Sequence, residues 1–149
     1  MGHTYASLYF HFIWSTKDRI DLIDLSFQKR LYDYIGALIK DENCYLMSIG
    51  GISNHVHLLI KTLPQTVITD LMRKVKANSS KFINQIYPDM NFGWQSGYGV
   101  FAVSVSKLDM VKNYISNQEL HHTSCSFEDE FKKLLDRHDI SYEDKFLFD

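Results

Sequence analysis

The chain has 149 residues, 45% of them hydrophobic and 23% charged, with a formal net charge of −2. That length suits one domain around a single core, and the near-neutral charge excludes duplex binding by bulk electrostatics, so any nucleic-acid surface must be local. Cys44 and Cys125 lack metal or redox spacing, no apolar run is long enough for a bilayer, and no basic segment precedes a hydrophobic stretch, so a cytoplasmic protein with reduced thiols is expected.

From Tyr5 to Ser15 the residues alternate, with Leu8, Phe10, Phe12 and Trp14 on one side and Tyr9, His11 and Ile13 on the other. This predicts a strand with one core face and one aromatic-polar face. Ser26 is placed to cap a helix whose apolar stripe is Phe27, Leu31, Ile35 and Leu38, ending near Asp41. Cys44 to Ile49 reads as a second strand, Gly50-Gly51 as a turn or bend, and the run from Asn54 to Ile60 as a third strand completing an antiparallel hairpin.

Pro64 stops that strand, and helical spacing of Ile68, Leu71, Met72, Val75, Phe82, Ile83 and Ile86 predicts a helix from about Thr66 to Tyr87, closed by Pro88. Asn91 to Gly99 is a glycine- and aromatic-rich loop before a last strand, Val100 to Val105. Ser106 to Asp109 has the form of an acidic capping box for a helix carrying Tyr114 and Gln118, and a further helix after Ser126 has Phe127, Phe131, Leu134 and Leu135 on its inner face. The order is that of the α+β ferredoxin-like (RRM-like) split βαβ fold, an antiparallel sheet with helices on one face and extra C-terminal helices, in a single domain spanning 1–149. The opposite face would be left for function or for a partner.

Chemistry concentrates at two places. In the third strand His55 and His57 project from one face while Val56, Leu58 and Ile60 point to the other, so two imidazoles form half of a metal site. Far downstream, Tyr114 and Gln118 stand one helical turn apart and share a face. Singly, each of these residues is more often scaffolding; together they point to metal-assisted phosphodiester cleavage by a tyrosine. Arg73, Lys74, Lys76 and Lys81 crowd the second helix, whereas acidic residues load the C-terminal part.

The combination resembles the single-tyrosine HUH transposases of the insertion-sequence 200/605 type, the IS200-like transposases, over nearly the whole chain. The resemblance is carried by Trp14-Ser15-Thr16-Lys17, Asn54-His55-Val56-His57, the Lys-Ala-Asn-Ser-Ser-Lys run from Lys76 to Lys81, Gly97-Tyr98-Gly99-Val100-Phe101, and Tyr114-Ile115-Ser116-Asn117-Gln118 with His121-His122. It implies that His55, His57 and Gln118 hold a divalent metal, Mg2+ or Mn2+, and that Tyr114 attacks DNA to give a 5′-phosphotyrosine and a free 3′ hydroxyl. Because the covalent link conserves the phosphodiester, a second DNA end can reverse the step and join strands.

The resemblance further implies single-stranded DNA with hairpin ends as substrate, and a homodimer whose active sites are completed in cis or in trans. Lys17, Arg73, Lys74, Lys76 and Lys81, with Arg19, are the candidate phosphate contacts. Trp94 and Tyr98 are candidates for base stacking. His121 and His122 are placed to tune the site, a zinc site with Cys125 lacks a fourth ligand, and no general base declares itself. Two other readings compete: a non-catalytic nucleic-acid-binding RRM-like module using an open aromatic sheet face, and a domesticated transposase that only binds DNA hairpins.

Overall fold

The structure is a computed structural model and describes residues 2–149. Four strands, β1 (Tyr9–Ser15), β2 (Tyr45–Ile52), β3 (His55–Lys61) and β4 (Gly99–Val103), form one antiparallel sheet in the order β2-β3-β1-β4. Helices α1 (Leu25–Asp41) and α2 (Ile68–Ile86) provide the two crossovers, followed beyond the sheet by α3 (Leu108–Ser116), the four-residue turn α4 (Gln118–His121) and α5 (Phe127–Arg137). The fold is the expected ferredoxin-like one. No helix among the described residues is long and apolar enough to cross a membrane.

Strand alternation divides the molecule into two cores. Phe12 and Trp14 of β1 and Val56, Leu58 and Ile60 of β3 pack with Leu31, Ile35 and Ile39 of α1 and Leu71, Met72 and Val75 of α2. Each such side chain contributes about 1.5–3 kcal/mol of hydrophobic stabilisation. On the other face Ile13 and Phe101 meet Phe127, Phe131, Leu134 and Leu135 of α5. The second face is therefore not open: α3 and α5 cover it, and the polar residues of β1 and β3 lie beneath them.

Several local expectations are corrected. β1 begins at Tyr9, not Tyr5. Asp24, not Ser26, caps α1, accepting from the Ser26 backbone N–H at 2.8 Å, and Ile39 rather than Leu38 ends the buried stripe. Ser106 does not cap α3; its hydroxyl meets that of Ser104. Ser126 does cap α5, accepting from the Asp129 N–H at 3.2 Å. Tyr114 and Gln118 do not share one helix, since Asn117 (φ −102, ψ 25) interrupts the ladder between α3 and α4.

Gly50 and Gly51 lie inside β2, opposite His57 and Val56, and the hairpin turns at Ser53-Asn54 instead. The reason is packing. A Cβ on Gly50 would sit 2.2 Å from the carbonyl oxygen of Ile115, so only glycine lets α3 rest directly on the sheet beside His57. Gly50→Ala is expected to force α3 outward and lower stability by about 1–3 kcal/mol, the usual cost of overpacking. A thermal melt measures the loss, and an unchanged Tm would refute the close approach.

Candidate metal centre and tyrosine site

Period-2 alternation puts His11 of β1 and His55 and His57 of β3 on the same sheet face, all nearly free of solvent contact. α4 lowers Gln118 onto them, and His122 follows one turn later. α5 presents Glu130 from its buried stripe, between Phe127 and Leu134. Ligand atoms of His55, His57, His122 and Glu130 all lie within 4.8 Å of one another.

Glu130 is the hub. Its Oε1 lies 3.0 Å from His57 Nε2, 3.1 Å from His122 Nε2 and 3.4 Å from His55 Nε2. Its Oε2 accepts the phenolic hydrogen of Tyr114 and lies 3.2 Å from His121 Nε2. Burial alone would raise this carboxyl, but hydrogen bonds from His122 and His57 outweigh it and hold the group ionised, well below the usual carboxylate range. Burial raises the Tyr114 phenol above its ordinary value, and the adjacent Glu130 charge raises it further. His11 and His55 are each pushed down to about 3, mainly by burial and then by the nearby His57.

The protons on these groups are committed in a way that suits a metal. His55 is neutral, and its Nδ1 faces the Asn54 side-chain oxygen at 2.8 Å, to which it donates. That leaves an unprotonated Nε2 aimed at the Gln118 Oε1, 3.0 Å away. His122 is committed in the same way: Nδ1 donates to the Cys125 carbonyl, and Nε2 points at Gln118 Oε1 (2.9 Å) and Glu130 Oε1. Two imidazole lone pairs, an amide oxygen and a carboxylate thus converge, an arrangement that repels itself unless a cation or an added proton sits among them. Without a metal, a proton on His122 fills that role: its burial would lower the pKa, but the Glu130 carboxylate raises it. The donor set fits a divalent ion.

His11 completes the network from behind, its Nε2 2.8 Å from His57 Nδ1. When His57 Nδ1–H donates to this neutral ring, His57 Nε2 is freed to ligate. His11→Ala is expected to weaken Mn2+ binding about 10–100-fold, the usual effect of losing a group that orients a ligand. Calorimetric titration reads this directly, and undiminished affinity would remove His11 from that role.

The four residues singled out for chemistry, His55, His57, Tyr114 and Gln118, are therefore brought together within one chain, with the Tyr114 ring centroid 5.5 Å from that of His57. Glu130, His122 and His11 are additions. Glu130 was legible in one respect, as a carboxylate standing on the apolar stripe of α5 where leucine would be ordinary. Cys125 takes part only through its carbonyl.

The candidate DNA contacts lie elsewhere. α2 packs on the opposite face of the sheet from the histidines. Lys17 and Lys81 are exposed; Arg73 pairs with Asp70 at 3.3 Å and Lys74 with Glu42 at 2.9 Å, both at the surface. Lys76 is turned inward, donating to the carbonyls of Ser96 (2.9 Å) and Gly97 (2.6 Å), and burial lowers its pKa to about 8. Arg19 pairs with Glu128 at 2.7 Å and covers the Phe148 ring, so it fastens α5. Trp94 closes the core, donating to Ser79 Oγ at 2.9 Å and packing edge-on against Trp14 and Phe92. Tyr98 lies half-buried beside Lys76.

Lys76→Met, which keeps the stem and removes the ammonium, is expected to cost about 1–3 kcal/mol through two stranded carbonyls. Proteolysis within 91–99 should then quicken; protection equal to the parent would show that Lys76 does not hold this loop. The pH dependence has a definite sign. Between about 8 and 10.5 the unfolded lysine holds a proton that the folded one has lost, so parent stability rises with pH there and the variant lacks that slope.

Sheet order and site define a class: a ferredoxin-like α+β domain whose second sheet face carries a buried histidine–carboxylate cluster set against a tyrosine. Residues 4–118 match the family described as transposase IS200 like, and the chain belongs to that family. It is 25% identical over 123 residues to the ISDra2 transposase TnpA of Deinococcus radiodurans, covering 78% of this chain and 87% of that one. The crystal structure of a transposase candidate from Deinococcus radiodurans superposes with a TM-score of 0.65 at 26% identity, over 79% of this chain and 96% of that chain. A REP-associated tyrosine transposase, solved bound to a REP hairpin, shares the fold at 14% identity with a TM-score of 0.62, over 82% of this chain and 73% of that chain. The family match ends at Gln118, so His122 and Glu130 lie beyond it.

Proposed function

We propose that this transposase cuts and rejoins single-stranded DNA at hairpin-bearing ends, with Tyr114 as nucleophile and Glu130 as its proton acceptor. The observation that carries the reading is the hydrogen bond from the Tyr114 hydroxyl to the same carboxylate that the metal-type histidines surround. A phenol is a weak nucleophile at neutral pH, and here its environment raises its pKa further. It therefore needs a base in contact at the moment of attack.

In the step, the Tyr114 oxygen forms a bond to phosphorus, the DNA 3′ oxygen leaves, and the phenolic proton passes to Glu130. Glu130, which stays ionised at rest, does not keep that proton but passes it on to the departing 3′ oxygen, so no net proton or water is consumed and the exchange runs backwards with a second 3′ end. His55, His57 and Gln118, with His122 and Glu130 alongside, would hold a divalent ion, which would supply polarisation of the scissile phosphate. Imidazoles with a carboxylate suit Mn2+ better than Mg2+.

The active species in this reading is a homodimer that brings two DNA ends together, and the contacts made within one chain by His55, Gln118, Tyr114 and Glu130 support sites built in cis. Lys17, Arg73, Lys74 and Lys81 supply phosphate contacts for the hairpin, and Lys76 acts through the loop it holds. The binding-module reading needs an open aromatic sheet face, and α3 and α5 cover that face. Incubation with labelled single-stranded DNA of the element's own ends, with Mn2+ or EDTA, tests the proposal. A denaturation-resistant protein–DNA adduct that requires metal is the expected product, and its absence would overturn the nuclease reading.

A further inference from the structure

Beside the tyrosine, β4, α3 and the end of α5 line a cleft of about 510 Å3 to which His55, His57, His122 and Glu130 do not contribute. That volume is within the range of small-molecule sites, ~300–1,000 Å3. Its floor is a continuous aromatic row. His138 stacks on Phe101 with ring centroids 4.5 Å apart, Phe101 meets His11 edge-on at 6.1 Å, and His11 meets Tyr114 edge-on at 6.1 Å. Met110, 59% exposed, also lines it.

The charges around this cleft are all of one kind. Lys107 and Arg137 line it, both exposed and neither in an ion pair among the described residues, and no carboxylate lines it. A purely hydrophobic ligand would have no use for the two cations, and a simple anion none for the aromatic floor. A nucleotide uses both, its base lying against rings and its phosphates against lysine and arginine. The cleft also shares Tyr114 with the metal-type site, so a strand whose phosphate reaches the phenol has its neighbouring nucleotide at the cleft mouth.

We infer that this cleft is a nucleotide subsite, which receives one unstacked base flanking the scissile phosphate and so positions the strand for attack. The inference rests on the proposed DNA-cleaving function. It adds a specificity element that neither the histidines nor Tyr114 supplies, because a base must leave its stack to enter. Recognition by stacking and by apolar contact admits any base face but rejects an abasic position.

The test uses a dinucleotide with 2-aminopurine joined to thymidine, whose fluorescence falls when the base is enclosed by aromatic rings. In EDTA, to keep metal chemistry out, the parent protein should quench it saturably. Val111→Phe, which adds bulk to a half-buried α3 residue lining the cleft, should abolish the quenching, and Lys107→Ala with Arg137→Ala should weaken binding at least about tenfold and flatten its salt dependence. Saturable quenching that persists in both variants, or no quenching by the parent, would overturn the subsite. The Tyr114 adduct assay reads the other hypothesis separately. An adduct that forms equally fast on DNA abasic beside the cut would also overturn the subsite while leaving cleavage standing. Quenching with no adduct in Mn2+ would overturn cleavage and keep the subsite.

Discussion

Tyr114→Phe is expected to bind hairpin DNA as tightly as the parent and to form no covalent adduct at all. Phenylalanine keeps the ring that lies edge-on to His57 and His121 and removes one oxygen. In the proposed mechanism that oxygen is the atom that bonds to phosphorus, so the loss is total rather than graded. The fold should survive. Glu130 loses one hydrogen-bond donor but keeps its contacts to His57 and His122, so the cost is that of one charge-assisted bond, about 1.5–3 kcal/mol. A denaturing gel measures the adduct and calorimetry the stability. An adduct at parental yield would take Tyr114 out of its role.

Glu130→Gln should have the second-largest effect, because it acts on two functions through one charge. The amide retains an oxygen for His57 but cannot take a proton from Tyr114, and cleavage should drop about 10²–10⁴-fold, the range for losing a positioned acid or base. Mn2+ affinity should fall as well, since the only carboxylate within the cluster is removed. Titration calorimetry and single-turnover cleavage separate the two effects. If cleavage at saturating Mn2+ matched the parent, Glu130 would be a ligand alone and another base would have to be found.

Without bound metal the site is expected to make the protein acid-labile, which chemical denaturation at successively lower pH measures. His11 and His55 have folded-state pKa values of about 3 against the ordinary 6.5, so between those limits the unfolded chain binds protons that the folded one refuses. Stability therefore falls as pH drops through that window. Glu130 adds to the loss below its ordinary value of 4.5, where an ionised folded carboxylate faces a protonated unfolded one. His122, raised, works the other way and stabilises on the acid side of 6.5.

Elements and faces were largely legible in the sequence because they depend on near neighbours. The alternation in β3 by itself puts His55 and His57 together and commits Val56, Leu58 and Ile60 to the other core. Cap positions were off by a residue or two, as between Ser26 and Asp24, because neighbouring polar side chains compete for the same N–H groups and local pattern does not rank them. The glycines in β2 were misplaced for a different reason. A pair of glycines signals a turn equally with a close approach, and only the position of α3 distinguishes the two.

What the chain determined unaided is thus the order of its elements, the side of the sheet on which the two histidines stand, and the candidacy of Tyr114 and Gln118. What tertiary structure alone decided is the company they keep. Glu130 is 73 residues from His57 in sequence, and His11 is 46 residues from it. No local periodicity relates groups so far apart; strand pairing brings His11 across, and the packing of α5's phenylalanines and leucines on Ile13 and Phe101 carries Glu130 inward with them. One of the acidic residues that load the C-terminal part becomes the centre of the site because its hydrophobic neighbours bury it.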